Sequence, residues 1–116
     1  MALVRIHYTK NNREIANDID LVKRIMIRGN VDMQMIKIHY AVVHEFIHKL
    51  IINDMNKFLD EIFRRFNSTD NPLRDEASQA RLKELDTHIS MTIGSVIQIG
   101  DEYYAVAAVG FKKIIN

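Results

Sequence analysis

The chain has 116 residues, with 16 Lys and Arg against 15 Asp and Glu, for a net charge of +1. That balance excludes a basic nucleic-acid footprint over the whole chain and an acidic mimic of DNA. With no cysteine, a disulfide framework, a thiolate metal site and a cysteine nucleophile are excluded too. Apolar residues at 47% and charged residues at 27% are usual for a folded domain, and the length predicts a single domain over residues 1–116. The apolar stretches are interrupted too often to span a membrane, and MALVRIHYTK lacks a signal segment. A soluble, cytoplasmic protein without a membrane partner is expected.

Residues 2–9 alternate, with Val4, Ile6 and Tyr8 against Arg5 and His7, which predicts a first strand. The next segment carries Ile15, Ile19, Val22 and Met26 at spacings of four, three and four, the stripe of one helix, with Gly29 as its stop. Residues 35–52 read at period two and are rich in β-branched side chains. Ile36, Ile38, Tyr40, Val42, His44, Phe46 and His48 would share one face of a long strand or of two collinear ones. A helical stripe of Ile36, Tyr40, Val43, Ile47 and Leu50 is the alternative.

Met55, Phe58, Leu59, Ile62, Phe63 and Phe66 make the clearest helical stripe. Asn53 or Asp54 is placed to cap it, and Arg64 and Arg65 suit its C-terminal dipole. A polar loop runs from Asn67 to Pro72, and a short helix is predicted from Glu76 to Leu85. Ser90 and Thr92 alternate with Ile89, Met91 and Ile93 as a polar-faced strand, with Gly94 as a turn. Strands are predicted over 96–99, 103–109 and 111–115, the first two joined by a Gly100-Asp101 turn.

His44-Glu45-Phe46-Ile47-His48 matches the H-E-x-x-H pattern of zinc peptidases. There the histidines share one helix face and one metal, and the glutamate is the general base. On a strand the two histidines lie roughly 13 Å apart and cannot share a zinc. Glu61, Glu76 and Glu84 are available as a third ligand, but none stands in a second motif. The expectation is therefore no cofactor and no catalytic residue. The alternative is a minimal zinc metallopeptidase with His44 and His48 as ligands and Glu45 as base.

His88, Ser90 and Ser95 suggest nucleophilic chemistry only weakly, because no acid is placed to orient the histidine. Arg13, Lys23, Arg24 and Arg28 make a locally basic segment, the basis for a second alternative, a nucleic-acid-binding accessory protein.

From Phe63 onward the chain has Phe63-Arg64-Arg65-Phe66-Asn67, then residues 87–97 reading THISMTIGSVI, then Tyr103-Tyr104-Ala105-Val106 and Gly110-Phe111-Lys112-Lys113-Ile114. This resembles a module of small phage and mobile-element proteins related to YodL-like domains, whose pattern is H-x-S-M-S-V-G-D-V-I, a hairpin and G-F-K-x-I. The likeness covers 50–80 residues. It departs at Thr92, where the family prefers Ser, and at Ser95, where it prefers Asp, and the first 30 residues have no counterpart in it. It implies a phage-type accessory protein with no established enzyme activity, acting on a host factor or defence system, with a strand where the H-E-x-x-H motif falls.

Together these readings predict an α+β fold, a small, mostly antiparallel sheet with one or two packed helices. The candidate binding surface is His88, Ser90, Thr92, Gly110 and Phe111, the expected partner is a host protein, and an exposed sheet edge is compatible with a homodimer.

Overall fold

A computed structural model describes residues 1–116. The fold is α+β, as expected, built on a five-stranded sheet whose neighbouring strands are all antiparallel. The strands are β1 (Ala2–Thr9), β2 (Tyr40–His48), β3 (Val96–Ile99), β4 (Glu102–Val106) and β5 (Phe111–Ile114), in the order β2-β1-β3-β4-β5. The Gly100-Asp101 turn joins β3 to β4, as its sequence predicts. β4 ends at Val106 and not at Val109, because Ala107 N–H turns to bond Gly110 O.

Helices cover both faces of this sheet. Short helices α1 (Asn12–Ala16) and α2 (Ile19–Leu21), a π-helical turn (Val22–Ile27) and α3 (Met33–His39) lie before β2. They bury Ile25, Met35 and Ile36, together with Tyr40 at the start of β2, against Val96, Ala105 and Ile114. The opposite face is covered by α4 (Met55–Arg65), a 3-10 turn (Pro72–Arg74) and α5 (Glu76–Leu85). Leu59, Ile62, Phe66, Leu73 and Leu82 pack there on Val4, Ile6, Tyr8, Ile97 and Tyr104. Asp54 caps α4 through Lys57 N–H, and Asp75 caps α5 through Ser78 N–H.

Three further expectations are corrected. The single helix before Gly29 is broken. Asn17 ends α1, Asp18 caps α2 through Leu21 N–H, and the π-turn moves the buried position to Ile25. Ile15 stays buried but Ile19 is exposed. Gly94 explains the fit of the π-turn: a Cβ there would meet Ile25 O at 2.6 Å.

The long strand over 35–52 is instead a helix followed by a strand. Asp32 accepts Met35 N–H at 2.8 Å and starts α3, which the burial of Met35 and Ile36 holds in place. Within β2, a bulge at Val43 divides the even-numbered face. His44, Phe46 and His48 pair with Ile6, Val4 and Ala2 on the α4 side, whereas Val42 and Tyr40 pair with His7 and Thr9 on the other.

Residues 87–95 are a loop and not a strand. The Ile89 carbonyl accepts from both Tyr8 Oη–H and the Asn71 side-chain amide, and Ser95 Oγ accepts Thr92 N–H. These bonds satisfy backbone groups that a strand would direct to a neighbour.

Candidate functional site

β2 presents the H-E-x-x-H residues on an extended backbone. His44 meets Phe66 edge-on (ring centroids 5.7 Å apart) and His48 packs tilted against Phe58 (4.5 Å), so both imidazoles face α4 as half-buried strand residues. Glu45 points to the other face and pairs with Arg5 at 3.4 Å. The helix that a zinc peptidase motif needs is therefore absent, and the Glu is separated from both histidines by the sheet itself. Glu61 lies on α4, and Glu76 and Glu84 on α5. No group of three or more His, Asp or Glu side chains is arranged to hold a metal.

His88, Ser90 and Ser95 do not form a nucleophilic set either. His88 Nδ1 lies 2.7 Å from Ser90 O, an acceptor, which places the proton on Nδ1. Its ring packs on Tyr8 at 4.8 Å, and burial lowers its pKa. Ser95 is buried with its hydroxyl on Thr92 N–H. Ser90 and Thr92 are exposed on the same loop.

The strand register brings the 87–95 loop and the β4–β5 turn to one end of the sheet, because Val106 N–H bonds Ser95 O and Val106 pairs with Phe111. There, α4 and the β4–β5 turn enclose a cleft of about 160 Å³. Asp60, Phe63, Ala108, Gly110 and Phe111 line it, with Val106 and Ala107 at its base. Phe63 meets Phe111 edge-on at 6.5 Å, and Asp60 is held by Arg64 at 2.8 Å. Gly110 and Phe111 of the predicted surface are thus part of a concave apolar site, whereas His88, Ser90 and Thr92 do not line it.

The basic residues before Gly29 are partly neutralised. Arg24 bonds Asp32 at 2.8 Å and Arg13 lies 3.7 Å from Asp86, while Lys23 and Arg28 are exposed.

Sequence reasoning missed Asn71 and His7. Asn71 is buried, donates to Phe66 O and Ile89 O, and accepts Leu73 N–H. It ties α4 to the 87–95 loop, and nothing in its local sequence distinguishes it from the neighbouring polar loop residues. His7 lies 2.7 Å from Gln98 Oε1, and the Gln98 amide donates to Gly100 O, so His7 carries its proton on Nε2. Burial lowers its pKa.

No family model matches the chain, and no solved structure matches it. The likeness to YodL-like domains therefore stands on the residues quoted above alone. The chain is 35% identical over 75 residues to "Uncharacterized protein R785" of Acanthamoeba polyphaga mimivirus, a match covering 65% of this chain and 68% of that protein. Of the expected phage or mobile-element origin, the relative supports the coarser statement, a viral one. At that identity and coverage, the chain belongs to the same family as the mimivirus protein.

Proposed function

We propose that this chain is a viral accessory protein that works by binding a host protein and catalyses no reaction. The observation that carries this reading is the cleft between α4 and the β4–β5 turn. Five of its seven lining residues are apolar, and its volume of about 160 Å³ suits a single aliphatic or aromatic anchor from a partner. Val109, 93% exposed, projects from the same turn. An exposed apolar side chain beside an apolar cleft is the arrangement of an interface centre. The Asp60–Arg64 pair supplies a polar rim. The family relative is viral, which supports a partner in the infected cell.

The remaining chemistry supports binding over catalysis. His7 is hydrogen-bonded to Gln98 and His88 to its own loop, and His44 and His48 pack against the rings of Phe66 and Phe58. The test is affinity capture from a lysate of Acanthamoeba polyphaga, the organism in the relative's name. Ala108→Arg fills the cleft from an exposed position. A protein retained by the wild type and lost with the variant supports the proposal. No specific protein, or equal capture by both, contradicts it.

A further inference from the structure

The two edges of the sheet are protected unequally. β5 is short and carries exposed Lys112 and Lys113, features that discourage strand addition. β2 is nine residues long and contains no proline. The direction of its backbone follows from the register. Gly100 N–H bonds Leu3 O, so Leu3 turns its backbone toward β3, and by alternation Ala2, Val4 and Ile6 turn toward β2. Their partners His48, Phe46 and His44 point back at β1. Glu45 and Ile47 therefore direct N–H and C=O away from the sheet. Val42 O also points outward, and there Arg81 donates to it at 3.0 Å. No protein group bonds the outward backbone of Glu45 or Ile47.

The side chains next to this edge are apolar and exposed: Ile47 at 57%, Leu50 at 73% and Ile51 at 83%. Glu45 and Lys49 stand two residues to either side of Ile47. An antiparallel copy centred on Ile47 places Ile47 opposite Ile47, and Glu45 opposite Lys49 twice. Glu45 and Ile47 are outward-pointing residues of β2, so the Ile47 pair exchanges both backbone bonds, and Lys49 follows directly after the strand. On the other face His48 meets Phe46. The register centred on Glu45 sets two carboxylates against each other, which disfavours it.

We propose that the occupant of this edge is a second copy of the chain, joined through β2 about a twofold axis at Ile47 into a continuous ten-stranded sheet. The segment 45–49 is self-complementary in charge only in that register, and pairing covers Ile47, which the monomer leaves in water. The surface is distinct from the cleft beside the β4–β5 turn, so the two proposals fail independently.

The test is sedimentation equilibrium of the 116-residue chain over a concentration series. A reversible dimer is expected. Lys49→Glu should weaken it by about tenfold, because it turns two attracting cross-strand pairs into two repelling ones. Glu45→Lys combined with Lys49→Glu should recover much of the loss, a result that mere unfolding would not give. Ile47→Asp, at an exposed site whose amides do not serve β1, should yield a folded monomer by circular dichroism. A wild-type monomer at all concentrations overturns the proposal. So does a dimer unaffected by Lys49→Glu and Ile47→Asp.

Discussion

Gly94→Ala tests how the N-terminal helical segment is seated on the sheet. Gly94 has φ +91°, a conformation that costs an alanine roughly 1–2 kcal/mol. The new methyl would also lie 2.6 Å from both Ile25 O and Ile25 Cγ2. Ile25 is fully buried in the π-turn and Gly94 is fixed by its bond from N–H to Val106 O, so neither side yields freely. Overpacking of this kind costs about 1–3 kcal/mol, for a total of about 2–5 kcal/mol. Gly100→Ala is the control: its φ is +59° and nothing lies within 4 Å of the added methyl. It should cost only the backbone term of about 1–2 kcal/mol. Urea unfolding followed by circular dichroism gives both values, read as midpoint shifts at unchanged slope. If Gly94→Ala falls within about 0.5 kcal/mol of Gly100→Ala, the packing of the π-turn against Gly94 is refuted.

Asn71→Ala should cost about 2–4 kcal/mol in the same assay, because it strips partners from buried Phe66 O and Leu73 N–H. A loss below about 0.5 kcal/mol would remove its role in tying α4 to the 87–95 loop. Burial lowers the pKa of His7, His44 and His88 from the usual 6.5. The unfolded chain therefore binds more protons just below pH 6.5, and stability should fall as pH drops from 7 toward 5. Unfolding midpoints that do not change over that range would contradict the neutral assignments. Elemental analysis of untagged protein should find no stoichiometric zinc. About one zinc per chain, lost in His44→Ala, would contradict the strand geometry at His44 and His48.

The parts of the fold that the sequence discloses are those set by local periodicity. α4 is evident because Leu59, Ile62 and Phe66 repeat on one face, and Asp54 announces its start. β1 and the β3–β4 hairpin follow from alternation and the Gly100-Asp101 turn. What escapes is set by distant partners. The residues of α3 alternate as a strand would, and helix wins through the Asp32 cap and the burial of Met35 and Ile36 across the sheet. The bulge at Val43 reverses which face Tyr40 and Val42 occupy, and no local signal marks it. Gly29 reads as a helix stop and Gly94 as a turn, yet each also permits a close approach, Gly29 to Val106 O and Gly94 to Ile25. At the cleft, Gly110 and Phe111 were accessible to sequence reasoning through the G-F-K-x-I likeness. Asp60 was not, because it reaches the cleft from another element, and Phe63, quoted in the same likeness, reads from the sequence only as part of the helical stripe.

The most direct test of host-protein binding is site-specific photocrosslinking. A benzophenone side chain replaces Val109 in one protein and exposed Thr69 in another. Each is irradiated in Acanthamoeba polyphaga lysate. The account predicts one discrete adduct from position 109, absent from position 69 and abolished by Ala108→Arg. No adduct from position 109, or the same adducts from both positions, would contradict it.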